Sequence, residues 1–414
     1  RMPSPIEMLE TAKNHLQELG TCVSDIVNTC PDAFSGDEVK EQLQRFRTAY
    51  ENAITRLETP KLYIATIGTT SSGKSTLVNA LIGRRIAPIE RGEMSGGVLR
   101  LRHGDTRELH IAETECAVWD TGTWNGLEDG EIYDRIRDRV MRLYHSERQK
   151  KDLQAPEVAV TLPILPVADP SLLGLPDGIE FELIDLPGLK SVQDHANLEV
   201  IQSYVSQAFS VVTLDYGQVD DQHRKQLLDE LKKVVGYLNG RTDSIVFVLN
   251  RVDTRGRDDL PLDECIQQLQ DEIQQVLKLT TRPDVLPLSA RLLYYAQCAW
   301  GVGALSGASE VSPDARSQNL TAMFDECSSL VKAKTKGDRQ IKAWMRDIED
   351  RVEEGEPIHD DDMRQLMEYA LEWSGGQALW QCLQKRVQES FAELVILPAL
   401  MGTFTAFDAL ITSV

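Results

Sequence analysis

Eight residues, Gly68-Thr69-Thr70-Ser71-Ser72-Gly73-Lys74-Ser75, follow the spacing G-x-x-x-x-G-K-S. In this pattern successive backbone N–H groups close around a phosphate-sized anion at a helix N-terminus. Gly68 and Gly73 let the main chain adopt angles that other residues resist. Lys74 is placed to span the β- and γ-phosphates of a nucleotide, and the Ser75 hydroxyl to bind Mg²⁺. Thr69, Ser72 and Thr76 complete the wrap. An apolar run ends at Ile67 and an amphipathic helix follows at 76–82, the setting this loop requires.

Three further groups lie at the ends of apolar runs. Asp185-Leu186-Pro187-Gly188 closes the run 180–185. Asp185 can hold Mg²⁺ through water, and the Gly188 N–H can reach the γ-phosphate. Asn250-Arg251-Val252-Asp253 follows the run 245–249. A carboxylate at Asp253 accepts two hydrogen bonds from guanine N1–H and N2–H₂, donors that adenine lacks in that geometry. The Arg251 stem can lie across the base. Ser289-Ala290-Arg291, after 285–288, can present a backbone N–H to guanine O6. Four motifs in this order, each at a strand end where α/β sheets bind ligands, define a guanine nucleotide site. Between residues 82 and 98 a hydroxyl should reach Mg²⁺ and the γ-phosphate, and Ser95 is the candidate. The alternative is a backbone or water ligand in a flexible glycine-rich loop.

The elements that must position these groups are strands at 62–67, 98–101, 109–111, 180–185, 210–215, 244–249 and 285–288, alternating with helical segments. Residues 113–163 form a long interval in which 131–146 reads as a helix. The implied fold class is α/β: a phosphate-loop GTPase domain with a mostly parallel central sheet and helices on both faces. Before it, Leu9, Ala12, Leu16, Leu19, Val23 and Ile26 form one helical seam, and Val39, Leu43, Phe46, Tyr50, Ala53 and Leu57 a second. Two such seams want a third partner, and Leu379, Leu383, Val387 and Leu394 in 377–397 offer it. The expected organisation is N-terminal bundle helices at 1–58, the GTPase domain at 59–300, a loop and helical extension at 301–374, and a C-terminal bundle helix at 375–414. Residues 301–314 read as a mobile loop. The acidic run 347–362 reads as a solvated face, because it lacks calcium-loop spacing.

The chain has 414 residues, enough for two or three domains, with 42% hydrophobic and 26% charged residues. Its net charge of −21 disfavours nucleic acid or an acidic membrane surface as primary partner. Seven scattered cysteines without a CxxC pair suit a reducing cytosol rather than a disulfide scaffold or zinc ribbon. The apolar stretch 391–407 carries Glu393 and Pro398, so a buried helix is expected rather than a span of about 20 clean apolar residues. Arg1 ahead of Met2 reads as the remnant of a cleaved tag.

These motifs, with Ser71-Ser72-Gly73-Lys74-Ser75-Thr76-Leu77-Val78-Asn79-Ala80-Leu81-Ile82-Gly83 followed by Pro88, the long interval from Lys74 to Asp185 and helices before the first strand, resemble the dynamin superfamily and its bacterial dynamin-like branch. The resemblance implies GTP hydrolysis stimulated when GTPase domains pair across the nucleotide, and coupling to membrane remodelling or assembly. It implies that Ser71 helps hold a monovalent cation, K⁺ or Na⁺, in place of an arginine finger. It also implies that Thr70, where the family often has Gln, or a main-chain group orients the attacking water. The implied partners are GTP and GDP, a second copy through the GTPase domain, and membrane lipid through regions not in this chain, with no nucleic acid. The implied location is cytoplasmic and peripheral at the membrane. Ser95 and its glycines depart from the family's Thr-bearing segment, and no long stalk or membrane-inserting tip is present. Either an excised domain with its bundle or a natural short relative accounts for that. The competing functional reading is a regulatory GTP switch signalling to a protein partner through the bundle.

Overall fold

The structure, a computed structural model, describes all residues except 70–71, 90–96, 149–152, 188–201, 221–222, 238–244 and 257–258. It divides into two compact units. The larger comprises Tyr63–Leu173 and Glu182–Leu383, the smaller Arg1–Leu62, Gly174–Phe181 and Gln384–Val414.

In chain order the strands are β1 (Lys61–Gly68), β2 (Val98–His103), β3 (Glu108–Ile111), β4 (Gly122–Asn125), β5 (Glu157–Leu162), β6 (Glu180–Asp185), β7 (Ala208–Asp215), β8 (Ile245–Asn250) and β9 (Val285–Leu288). They form one sheet ordered β4-β3-β5-β2-β6-β1-β7-β8-β9. Parallel pairing runs from β1 through β7 and β8 to β9, with Gly68 opposite Thr213, Asp215 opposite Asn250 and Asn250 opposite Leu288. The other half is mixed: β2 is parallel to β5 but antiparallel to β6, and β3 is antiparallel to both β4 and β5. The sequence-based expectation of a mostly parallel sheet therefore describes the half that carries the motifs.

Parallel strands need cover on both faces, which makes them continuous apolar runs. Every residue of β7 and β8 is buried. Val212 and Leu214 share a core with Phe247, Leu249 and the apolar stripes of helices Arg224–Tyr237 and Leu262–Val276. Side chains alternate along a strand, so Phe209 and Val211 face the opposite layer. Strands β4 and β5 fall inside the interval 113–163, where the sequence reading identified only the helix at 131–146. That helix exists, as Asp129–Asp134 and Arg142–Glu147 joined through a wider turn at Arg135–Met141.

Helix Ala290–Trp300 supplies Leu292, Ala296 and Trp300 to a core shared with helices Pro313–Thr335, Arg339–Glu353 and Asp360–Ser374. The intervening 301–314 segment, expected to be mobile, is fastened at several points. Arg364 donates to the carbonyls of Leu305 and Gly307, each at 2.7 Å, Trp300 Nε1 donates to Gly303 O at 2.9 Å, and Ser309 N donates to Asp360 at 3.1 Å. Part of the acidic run is likewise engaged rather than solvated. Asp360 pairs with the buried Arg316, and Asp347 and Asp362 flank Arg351.

In the smaller unit, helix Pro5–Thr29 opens with a capping box between Ser4 and Glu7. Its seam meets that of helix Asp37–Glu58 as read from the sequence, around Val23, Val39, Leu43 and Phe46. The expected third seam is divided: Leu379 and Leu383 belong to the larger unit, Val387 and Leu394 to the smaller. The long pairing with Asp37–Glu58 is made instead by helix Leu397–Ser413. Leu410 joins the shared core, Thr403 Oγ1 donates to Ala49 O at 3.1 Å and Arg56 donates to Pro398 O at 2.7 Å. The burial expected for 391–407 holds on one face only, since Leu397, Met401 and Phe404 are 43–55% exposed. By length and composition the helical stretch Gly376–Ser413 could cross a membrane, with about a third of its most apolar window buried.

Candidate nucleotide site

Strand β1 delivers the phosphate loop to the carboxyl end of the sheet, where Thr69 N donates to Thr213 O at 3.0 Å. Both loop glycines are required by geometry. Gly73 has φ +77°, and a Cβ there would lie 2.3 Å from Asn250 Nδ2. At Gly68 a Cβ would meet Ser72 Oγ at 2.6 Å and Lys74 Cβ at 3.0 Å. Helix Lys74–Ile82 starts at once, with Leu77 N donating to Gly73 O at 3.2 Å. Ser75 and Thr76 sit half-buried in its open first turn, where backbone N–H groups have no intrahelical acceptor.

Lys74 is buried, and its ammonium lies between Asp185 and the Leu186 carbonyl, 2.5 Å from the latter. Asp185 ends β6, is 5% exposed and also accepts from Thr66 Oγ1 at 3.0 Å. Phosphate-loop lysine and metal-side carboxylate are thus joined directly, although 111 residues separate them. Ser72 Oγ is buried and without a hydrogen-bond partner among the described residues. An orphaned polar atom buried in the phosphate loop is costly unless a ligand satisfies it. The donor set, the Ser75 hydroxyl and the Asp185 carboxylate, is hard oxygen chemistry and fits Mg²⁺, which takes few protein ligands and completes its shell with phosphate and water.

The Asn250 motif is tied to the same loop. Asn250 is buried at the end of β8; its Nδ2 donates to Ser72 O at 2.8 Å and its Oδ1 accepts from Ala290 N at 3.0 Å. One side chain therefore ties the phosphate loop to the Ser289–Arg291 segment. This corrects part of the sequence reading: the Ala290 N–H locks Asn250, and the Ser289 N–H donates to Ser374 O at 2.8 Å. Of the three amides in the segment, that of Arg291, in the first turn of helix Ala290–Trp300, remains the candidate for guanine O6. Ser289 caps this helix through Leu292 N at 3.4 Å, and the Arg291 guanidinium lies 3.7 Å from Glu326. Asp253 is half-buried in the turn Val252–Thr254, which packs against helix Pro313–Thr335. On that helix burial pushes the Cys327 thiol up to about 12, with the Asp253 carboxylate adding to the shift.

The candidates Thr70, Ser71, Ser95 and Gly188 lie outside the described residues. Lys74, Ser72, Gly73, Asp185, Asn250 and Ala290 are brought together. The sequence reading missed Asn79, fully buried, which accepts from Ile86 N and Ala87 N and donates to Ala87 O, so fixing the chain that leaves the phosphate-loop helix. It also missed Thr66, Asp215 and Gln218. Asp215 could have been found, since it ends an apolar strand next to Asn250; Gln218, whose Oε1 accepts from Thr69 Oγ1 at 3.1 Å, carried no pattern.

Comparison with known proteins agrees with this geometry. The family model described as the dynamin family matches residues 64–252. No curated protein matches the chain. Among solved structures, Aquifex aeolicus Era bound to GDP and AlF4⁻ is 14% identical over 56% of this chain and 52% of its own, with a TM-score of 0.28. The chain thus spans about half of that protein. Two structures of an oligomerised bacterial dynamin pair, described as a mechanism for long-range sensing and tethering of membranes, are 13% and 14% identical. They cover 99% and 98% of this chain and 79% and 80% of theirs, with TM-scores of 0.39 and 0.36. Likenesses this remote carry no weight beside the motifs and the family match. The matched stretch, under half of the chain, holds the phosphate loop, Asp185 and Asn250, so residues 64–252 are similar to the GTPase region of the dynamin family.

Proposed function

We propose that this GTPase is a bacterial dynamin-like enzyme that hydrolyses Mg·GTP by in-line attack of water on the γ-phosphate, is stimulated when two GTPase domains pair, and couples turnover to membrane remodelling or assembly. The observation that carries the proposal is the Asn250 bridge from Ser72 to Ala290, with Lys74 joined to Asp185 beside it. That arrangement suits chemistry by positioning and charge stabilisation rather than by a strong protein base. Lys74 stabilises charge developing on the β–γ bridge and the γ-oxygens. The loop amides and the Ser72 hydroxyl orient the phosphates, and Asp253 selects guanine. Ser75 and Asp185, with Ser95 as the proposed third group, would hold Mg²⁺, which when bound supplies Lewis-acid compensation of phosphate charge. Thr70 is proposed to orient the water and Ser71 to help hold a monovalent cation.

Pairing of GTPase domains, membrane coupling through regions outside this chain, and a cytoplasmic, membrane-peripheral location follow from the family reading. Turnover per molecule measured against protein concentration tests the first of these. A rise supports activation by self-association; a flat profile across the micromolar range removes it and leaves a slow switch.

A further inference from the structure

Strand β7 ends on a carboxylate that nucleotide binding and hydrolysis, as described above, do not use. Asp215 is 7% exposed at the ligand end of the sheet, between the phosphate loop and the base-reading turn, and stands opposite Asn250 in register. Its Oδ1 accepts from Gly217 N at 3.0 Å, which holds the turn Tyr216–Gln218. Its Oδ2 lies 3.7 Å from the guanidinium of Arg251. Arg251 occupies the place where the commoner motif has lysine, and its backbone is left-handed, with φ 65° and ψ 30°. A non-glycine residue in that region is strained and persists where its surroundings fix it.

Arginine and lysine do different work at such a position. Lysine is a flexible point charge, whereas a guanidinium is planar, weakly hydrated and stacks on aromatic faces. A free arginine side chain of this length loses considerable rotamer entropy when it settles on a ring. A buried carboxylate that captures the guanidinium edge removes much of that loss beforehand and leaves the flat face available. We infer that Asp215 is a positioning residue: it holds the Arg251 guanidinium so that its face covers the purine ring, making the Asp215–Arg251 pair the counterpart of the usual lysine. The inference rests on the guanine-site reading. Arg251 meets the ring face and Asp253 its edge, so the pair strengthens binding of any purine without choosing among them.

The test uses calorimetric titration of GDP and inosine diphosphate in magnesium buffer, with steady-state GTP hydrolysis, on the full chain. Asp215→Asn keeps an acceptor for Gly217 N–H and removes only the charge. Asp215→Asn and Arg251→Ala should each weaken GDP about tenfold, and the double variant should be no weaker than either single one. In Asp215→Asn the KM for GTP should rise by the same factor with kcat within twofold, and the ratio of GDP to inosine diphosphate affinity should keep its wild-type value. Losses that multiply in the double variant, a fall in kcat at constant KM, or a changed ratio would each overturn the inference. Should Asp215→Asn not fold, Arg251→Ala at its half-exposed site decides: raised KM with kcat held supports the inference, and lowered kcat with KM held ends it. Failure of the guanine-site reading is distinguishable, because the wild-type chain would then bind no GDP.

Discussion

Strands β7 and β8 are buried along their whole lengths, while β5 alternates buried with half-buried residues and β4 alternates half-buried with exposed ones. The first pair lies in the parallel half of the sheet, the second in the mixed half. Parallel neighbours bring their carboxyl ends to one edge, so residues that terminate separate apolar runs meet there: Thr69 after β1, Asp215 at the end of β7, Asn250 at the end of β8, Ser289 after β9. Burial and chemistry are thus written into the same segments. In the mixed half, antiparallel pairing lays Arg100 and Arg102 against the buried Glu182, two ion pairs that join β2 to β6. The parallel half holds the site, and the mixed half extends the sheet that supports it.

The largest effect expected from this contrast is Lys74→Ala, which removes the cation at the parallel edge. GTP turnover should fall by on the order of a hundredfold or more; hydrolysis near the wild-type rate would mean the loop does not hold the phosphates. Asp253→Asn should follow, shifting preference from guanosine towards xanthosine nucleotides by tenfold or more. Competition of xanthosine triphosphate against GTP reads this out, and an unaltered preference removes Asp253 from base reading.

Core substitutions sharpen the structural side. Phe247 in β8 is 1% exposed, so Phe247→Ala should cost about 3–5 kcal/mol in denaturant unfolding. Trp124 on the edge strand β4 is half-buried beneath Arg135, and Trp124→Ala should cost under about 2 kcal/mol. Equal losses would deny the difference between the halves.

The smallest effect is a pH dependence in the mixed half. Burial lowers the pKa of His103 in β2, whose Nδ1 accepts from Ile164 N. The unfolded chain then binds the proton more readily than the folded one. The contribution of neutral His103 is full above its unfolded pKa, about 6.5, and is lost as pH falls from there through the lower folded value. Unfolding midpoints at pH 7.5 and 5.5 should differ more for the wild type than for His103→Asn.

The sequence made the parallel half legible because each strand there is an uninterrupted apolar run closed by a residue with phosphate or base chemistry. Strand β9 begins and ends where the apolar pattern does. The sequence left β4 and β5 unread because Gly122–Asn125 is too short and polar to signal a strand, and the alternation of Glu157–Leu162 competes with the prolines around it. Helical periodicity identified both N-terminal seams, but a period names a face without naming its partner. Helix Leu397–Ser413, which carries the long contact, has large apolar residues on more than one side, and its open row of Leu397, Met401, Phe404 and Ile411 blurs the stripe. In the site, residues chosen for direct ligand chemistry were readable, whereas Asn79, Thr66 and Gln218 act through other protein groups and leave no spacing signature.

The central claim is one guanine nucleotide pocket at the parallel edge, built from the Lys74 loop and the Asp253 turn. Titrating GDP into the folded chain with magnesium present, followed by calorimetry, tests it most directly. The account predicts saturable heat at one site per chain, none for ADP, and loss of the GDP signal in Lys74→Ala. No heat with GDP, or equal heat with ADP, would contradict it.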